Sequence, residues 1–399
     1  MPPPAATALR PRALRGRDIH EAHRTATPLE LLFDLTFVVA VSLAASQLHH
    51  AMAAGHALAA LPGYGMAFFA IWWAWMNQTW FASAYDNDDA VFRVLTMLQM
   101  AGVLVFASGV PALFEGDTKL AVLGYVCMRL PLCLQWWRAA QGDAARRATC
   151  LRYARGVAAV QVLWIARYFT AASGWIAPAL LWPSAALLAL AELAVPVWAE
   201  TRGPPTPWHA HHIAERYGGF VIIVLGEVIL GATNAITHLI GASGLTPELA
   251  LVGLAGTLLA FCLWWMYFLL PSADALHQHR ERSFGWGYGH YAVFAALAAV
   301  GSGLEVVADA LGSDHPPGAL RAVSAVAVPQ AIYVLAIWAL HRHATRTPDR
   351  QAGLLLAVLA CIGLGPLAVA QGLPLAWGVL LLSLGPVVAI VYNERFAVR

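Results

Sequence analysis

The sequence predicts an all-α polytopic membrane protein of about twelve transmembrane helices, in two six-helix repeats related by a pseudo-two-fold along the membrane normal. Three observations predict it. The 399 residues are 60% hydrophobic and only 12% charged, whereas about a quarter of a soluble domain is charged. The apolar residues fall into runs near the ~17–25 residues that cross a bilayer as a helix. The Lys and Arg residues crowd alternate connections, the bias that sets orientation in a membrane.

Taken in order, the runs lie at roughly 29–49, 60–82, 91–111, 119–139, 153–171 and 175–198, then at 213–238, 248–271, 288–308, 318–341, 352–371 and 374–392. Residues 1–28 are rich in Pro and Arg and contain no apolar stretch, so they read as a cytoplasmic tail and the first run as an uncleaved signal anchor. Residues 29–199 form the first half and 212–392 the second, with a short C-terminal tail at 393–399. Between the halves, 200–211 is a cytoplasmic linker whose prolines in Glu200–Trp208 exclude a continuous helix. An N-terminus in the cytoplasm also places Arg138, Arg146, Arg147, Arg152 and Arg155 there, with Arg280, Arg282, Arg342, Arg346 and Arg350. Only Lys119 and Arg321 then fall in external connections, and both termini are expected inside.

Three short matches suggest duplication. Phe69-Ala-Ile-Trp72-Trp73 resembles Phe261-Cys-Leu-Trp264-Trp265 at an offset of 192, Ser108-Gly109 resembles Ser302-Gly303 at 194, and Leu32-Phe33-Asp34 faces Leu225-Gly226-Glu227 at 193. In that alignment Asp34 is the counterpart of Glu227. Asp34, however, stands much nearer the start of its run, so either the first helix begins well before Glu30 or the alignment slips.

Charges within apolar runs mark the candidate chemistry, because a carboxylate at mid-span costs roughly 2.5–3.5 kcal/mol on insertion scales unless it faces protein or water. Glu227 is one such acid. Gly231, Asn234 and His238 follow at i+4, i+7 and i+11, which puts all four on one helix face. Glu30 and Asp34 form an i,i+4 pair near the cytoplasmic mouth. They read either as a proton or cation site or as half of an ion pair with a buried arginine. Arg129 and Arg167 are the basic residues deep within runs and the candidate partners, and Glu192 is a further buried acid whose role with them is structural. Glu215 and Arg216 open the seventh run. The ninth begins Tyr288-Gly289-His290 and ends Gly301-Ser302-Gly303-Leu304-Glu305, where the small residues allow another helix to approach closely. His209, His211, His212, His277, His279, His341 and His343 gather at the cytoplasmic face as a solvated, weakly basic surface without metal-site spacing.

Several functions are disfavoured. A net charge of +2 points away from nucleic acid, and five cysteines without a CxxC pair point away from disulfide or metal chemistry. No phosphate loop, nucleophile elbow or HExxH is present, so no catalytic residue, cofactor or metal is expected.

The run Glu30-Leu31-Leu32-Phe33-Asp34-Leu35-Thr36-Phe37-Val38 resembles the opening motif of the bacterial low temperature requirement protein A family. Glu215-Arg216-Tyr217-Gly218 leading to Gly226-Glu227, then Trp264-Trp265-Met266-Tyr267-Phe268, and His290 with Gly303-Leu304-Glu305 follow the same pattern. Leu269-Leu270-Pro271 depart from it where a polar or acidic residue is expected; Asp274 is the nearest acid. The resemblance implies a multi-span protein of the bacterial cytoplasmic membrane and carries no catalytic residues with it. The leading expectation is a secondary transporter or ion-conducting protein in a lipid bilayer, moving a proton, cation or small molecule. Glu30, Asp34, Glu227, Asn234 and His238 are its candidate site; Arg129, Arg167, Glu192, Glu215, Arg216, His290 and Glu305 are structural or counter-ion candidates. The alternatives are a stress-adaptation scaffold without transport and a membrane-embedded lipid-modifying enzyme.

Overall fold

The computed structural model describes residues 12–21, 24–243, 247–312, 316–345 and 352–397, and within these not the side chains of 235–243, 249, 396 and 397. Every regular element among them is helical: α1 (Pro28–Ala53), α2 (Ala57–Tyr85), α3 (Ala90–Ser108), α4 (Val110–Phe114), α5 (Lys119–Gly142), α6 (Arg147–Ala172), α7 (Leu181–Thr201), α8 (Ala210–Ser243), α9 (Pro247–Phe268), α10 (Ser272–Gln278), α11 (Ser283–Gly312), α12 (Ala319–Thr345), α13 (Ala352–Ala370), α14 (Leu375–Leu382) and α15 (Leu384–Tyr392). Ten helical segments among the described residues are long and apolar enough to cross a bilayer, which makes the chain a multi-pass membrane protein. α6 and α8 are not among them, although they run for 26 and 34 residues. Arg147, Arg152, Arg155 and Arg167 break the apolarity of α6.

α1 shows how the helices are arranged. Its Leu31, Leu32, Leu35 and Val39 are exposed, whereas Glu30, Asp34, Phe37 and Val41 are buried. The outward face is thus the more apolar one, the reverse of a soluble amphipathic helix. Lipid solvates leucine well, and only protein can supply partners for a carboxylate.

The chain forms two compact units, residues 1–43 with 65–216, and residues 44–64 with 217–399. In the first, α3 packs on α5, α5 on α6 and α6 on α7. Trp136 stacks on Tyr153 with ring centroids 4.1 Å apart, and Phe81 and Tyr85 meet its edge. The segment before α1 is strapped onto this unit: Leu14 is buried, Arg17 N–H donates to Ala84 O at 3.1 Å, and Arg12 N–H donates to Asp89 Oδ2 at 2.8 Å. Asp89 also caps α3 by accepting from Phe92 N–H, and it takes a 2.7 Å bond from Arg138.

In the second unit α11 packs on α12, α12 on α13, and α14 and α15 lie against α9. Gly301-Ser302-Gly303 on α11 is its hub. A Cβ on Gly301 would stand 2.8 Å from the Glu227 carbonyl, and one on Gly231 would stand 2.6 Å from the Gly301 carbonyl, so α8 and α11 touch backbone to backbone. Ser302 Oγ donates to Ala45 O at 2.7 Å, and Gly303 faces the Ala325 carbonyl on α12. Pro329 lacks the N–H that would have bonded that carbonyl four residues back, and a glycine can meet the freed oxygen closely. The same problem recurs at Pro386, which deprives Leu382 O of its helical partner. There Gln330 reaches across from α12 and donates to Leu382 O at 2.8 Å.

Because backbone atoms cannot swing aside as a side chain can, Gly303→Ala is expected to cost about 1–3 kcal/mol or more. Thermal unfolding in detergent checks this, with Gly363→Ala as the control, since nothing lies within 4 Å of that position.

Candidate functional site

α1 opens with the sequence Thr27-Pro28-Leu29-Glu30. Glu30 N–H donates to Thr27 Oγ1 at 3.2 Å and Thr27 N–H donates to Glu30 Oε2 at 2.8 Å, a reciprocal cap with proline in the first helical position. The cap holds Glu30 in one rotamer, with Oε1 2.9 Å from Arg216 Nη1 and 3.2 Å from His212 Nε2. One turn further on, Asp34 Oδ2 accepts from Arg216 Nε at 3.1 Å and Oδ1 accepts from Trp75 Nε1 at 2.7 Å, with a further close bond from Arg216 Nη2. His212 and Arg216 are themselves four residues apart, so an i,i+4 pair on α8 meets an i,i+4 pair on α1. All four side chains are buried. Arg24, from the strap, donates to Ala82 O at 2.8 Å and lies 3.8 Å from Glu30 Oε1. Two carboxylates and two guanidiniums therefore balance, and His212 is the fifth group. Its Nδ1 is buried without a hydrogen-bond partner among the described residues.

The surroundings hold this cluster in place. The backbone N–H of His212 donates to His209 Nδ1 at 3.3 Å, and the His209 Nε2–H donates to Glu21 O at 2.8 Å. His209 thus caps α8 as a neutral imidazole, and burial holds its pKa below the ordinary histidine range. His209 and His212 were expected on a solvated surface; both are buried instead, one as a cap and one against Glu30. Glu215 is exposed and accepts from Ala26 N–H at 3.2 Å. Asp86 lies in the turn after α2, where burial, reinforced by the Glu30 carboxylate, pushes its carboxyl up to about 6.

Arg216 is therefore the partner of Glu30 and Asp34, and Arg129 and Arg167 are not. Arg129 Nη2 donates to Glu192 Oε2 at 2.8 Å, and Glu192 also accepts from Trp73 Nε1 at 3.0 Å, Gln161 Nε2 at 2.9 Å and Tyr125 OH at 3.1 Å. Four donors from α2, α5 and α6 thus saturate one acid on α7. Arg167 donates to Ser184 Oγ at 3.0 Å and to Leu181 O.

The second unit holds the remaining candidates. Glu227 is buried and Gly231 lies against Gly301. Asn234 Nδ2 donates to Glu305 Oε1 at 3.0 Å, and the His238 side chain lies outside the described residues. Glu305 brings in His49, which the sequence reading passed over. His49 Nδ1 is 3.3 Å from Glu305 Oε2 and Nε2 is 2.7 Å from Asp309 Oδ2. A neutral imidazole carries one N–H, so both contacts are favourable only when a second proton sits on the ring or on one acid. His290 is enclosed by Tyr217, Trp286 and Phe294. Its Nδ1–H donates to Trp286 O at 2.7 Å, which leaves Nε2 to accept from Tyr267 OH at 3.0 Å. That fully bonded imidazole pins α9 to α11.

α1 begins only two residues before Glu30, so the first of the two ways to reconcile Asp34 with Glu227 fails. Asp34 is the seventh residue of α1, and the seventh residue of α8 is Arg216, its ion-pair partner. Glu227 lies three turns deeper.

These features define a class: a helical, multi-pass membrane protein whose inward acids are answered by arginine and histidine from other helices. The profile of the bacterial low temperature requirement A protein family (LtrA) matches residues 25–386, nearly the whole chain, and the chain belongs to that family. It is also similar to an uncharacterized protein of Rhizobium meliloti (strain 1021), with 28% identity over 247 residues, 60% of this chain and 57% of the relative. The match thus spans a little over half of that relative's length.

Glu192→Gln strands a buried guanidinium and is expected to cost about 3–5 kcal/mol, whereas Glu192→Leu combined with Arg129→Met recovers most of that loss. A double-mutant cycle on detergent melting temperatures measures it. For Asp86 the sign follows from a carboxyl near 6 in the folded chain against an ordinary 3.8. The folded state holds this proton more tightly, so its contribution is full below the ordinary value and is lost as pH rises through 6. Asp86→Asn should flatten the stability profile across that window.

Proposed function

We propose that this LtrA member is a secondary transporter or ion-conducting protein, rather than an enzyme, working through protonatable intramembrane carboxylates. The observation that carries the reading is the cluster of Glu30, Asp34, Arg216 and His212. Two acids share one guanidinium, and an imidazole touches Glu30 with one nitrogen while its other nitrogen has no hydrogen-bond partner among the described residues. Such an imidazole can take a proton at Nδ1 and deliver one from Nε2 to Glu30, which frees Arg216 to bond Asp34 alone. On α8, Glu227 stands eleven residues after Arg216 and seven before Asn234, spacings that return to the same helix face. In this reading Glu227 is the central exchanging acid, Glu30 and Asp34 are its inner counterpart, and Asn234 with His238 lines the outer side.

The reading includes twelve spans in two related halves with both termini in the cytoplasm. It is supported by helix spacing: α3 and α11 begin at 90 and 283, a separation of 193, and α7 and α14 begin at 181 and 375, a separation of 194. It is also supported by neighbour order, with α3, α5, α6 and α7 packing in sequence as α11, α12, α13 and α14 do. A scaffold without transport is the second reading, favoured by the saturation of Glu192, where buried charge only locks helices.

Proteoliposomes carrying a trapped pH indicator distinguish the two. The purified protein is expected to admit protons down an imposed gradient, and Glu30→Gln or Glu227→Gln should reduce uptake to the rate of protein-free vesicles. Unchanged uptake in both variants would remove these acids from the pathway. No uptake by the wild type, under gradients of protons and of alkali cations, would favour the scaffold.

A further inference from the structure

The second unit contains a hollow that plays no part in the charge clusters. It has a volume of about 560 Å³, within the range of about 300–1,000 Å³ usual for small-molecule sites. Its floor is the face of α11 carrying Ala292, Ala295 and Ala299, positions i, i+3 and i+7 where methyl groups leave the space unfilled. Its walls are apolar, from Leu58 and Leu61 of α2 to Val328 and Ile332 of α12, and these four side chains are exposed on the outer surface of the unit. Tyr64 OH donates to Ala295 O at 2.7 Å and fixes α2 against the floor.

Among the described lining residues one is formally charged. Arg321 stands in the first turn of α12, exposed, with Nη1 donating to Ala53 O at 3.2 Å. From Arg321 the hollow descends along α12 to Ile332, eleven residues or about 16 Å at 1.5 Å per residue. That is about half of the ~30 Å hydrocarbon thickness of a bilayer, the depth of one leaflet. A cation at a helix end above an apolar channel one leaflet deep is complementary to one kind of molecule already surrounding the protein.

We infer that this groove is a binding site for an anionic phospholipid of the bilayer, with one acyl chain in the alanine-floored hollow and the phosphate against the Arg321 guanidinium. Arginine suits the phosphate because its planar fork offers paired donors, and the missing side-chain volume on α11 suits a chain of methylenes. The inference is independent of transport.

The test is native mass spectrometry of the full-length protein released from nanodiscs of phosphatidylcholine with or without phosphatidylglycerol. The wild type is expected to retain phosphatidylglycerol in preference to phosphatidylcholine. Arg321→Gln should weaken that preference about tenfold, equivalent to 1.4 kcal/mol, and leave chain retention in place. Ala295→Phe should fill the hollow and lose both lipids. Melting temperatures verify that each variant folds, and Ala292→Phe replaces Ala295→Phe if the latter does not. Equal retention of the two lipids by the wild type would overturn the inference, as would phosphatidylglycerol retention unchanged in both folded variants. So would a Val328→Cys disulfide dimer that forms equally with and without phosphatidylglycerol, which would assign the groove to a second copy of the chain.

Discussion

A carboxylate placed among lipid chains must receive its counter-charge from protein, and in this molecule Arg216 meets that demand for two acids at once. The Glu30 and Asp34 side chains are held one turn apart by α1, and a single planar guanidinium spans them because Nη1 faces one and Nε faces the other. Removing such a partner leaves uncompensated charge in a low-dielectric setting, a cost of about 3–5 kcal/mol. The cap at Thr27, the indole of Trp75 and the cap at His209 all serve to keep the two helical pairs in register. The geometry of the first unit near the start of α1 therefore follows from one ionic contact.

The same rule operates on uncharged groups. Hydrocarbon offers no water to a carbonyl released by proline, so Gln330 turns toward Leu382 O and Gly303 admits the Ala325 carbonyl. Saturated acids such as Glu192 and closed imidazoles such as His290 belong with these, since their polar atoms are consumed by packing. The Glu30 cluster differs in setting an imidazole beside its guanidinium, and the His49 group differs because two acids face one ring.

Much of this was legible in the residues. Hydropathy revealed a multi-pass helical protein, and the i,i+4 spacing of Glu30 and Asp34 singled out the two acids that share Arg216. Gly301 and Gly303 announced a close crossing, because few other pressures favour glycine within a span. What could not be read was pairing across long separations. Arg129 and Arg167 were the obvious partners because they sit deep in apolar runs, whereas Arg216 stands near the start of α8, where solvent could have served it. The His212–Arg216 spacing mirrors Glu30–Asp34, and that symmetry was the available signal. His49 carried none, since a lone histidine at the end of an apolar run acquires meaning only when Glu305 and Asp309 are brought to it by folding. Asp34 was read near the start of its run, where it stands; its match to Glu227 was the weak point, because offset matching aligns residues and is blind to where a helix begins.

The separation between Glu30 and its counter-ion also bears on how the protein is made. His212 and Arg216 lie 182 residues beyond Glu30 and Asp34 respectively. At about 5–20 residues per second, some 10–40 s of synthesis separate the appearance of the acids from that of their partners. During that interval α1 cannot take its final place as a fully charged, buried helix. It must wait protonated, at the edge of the bilayer, or against the insertion machinery. The start of α8 is then the latch whose arrival allows the first helix of the chain to settle.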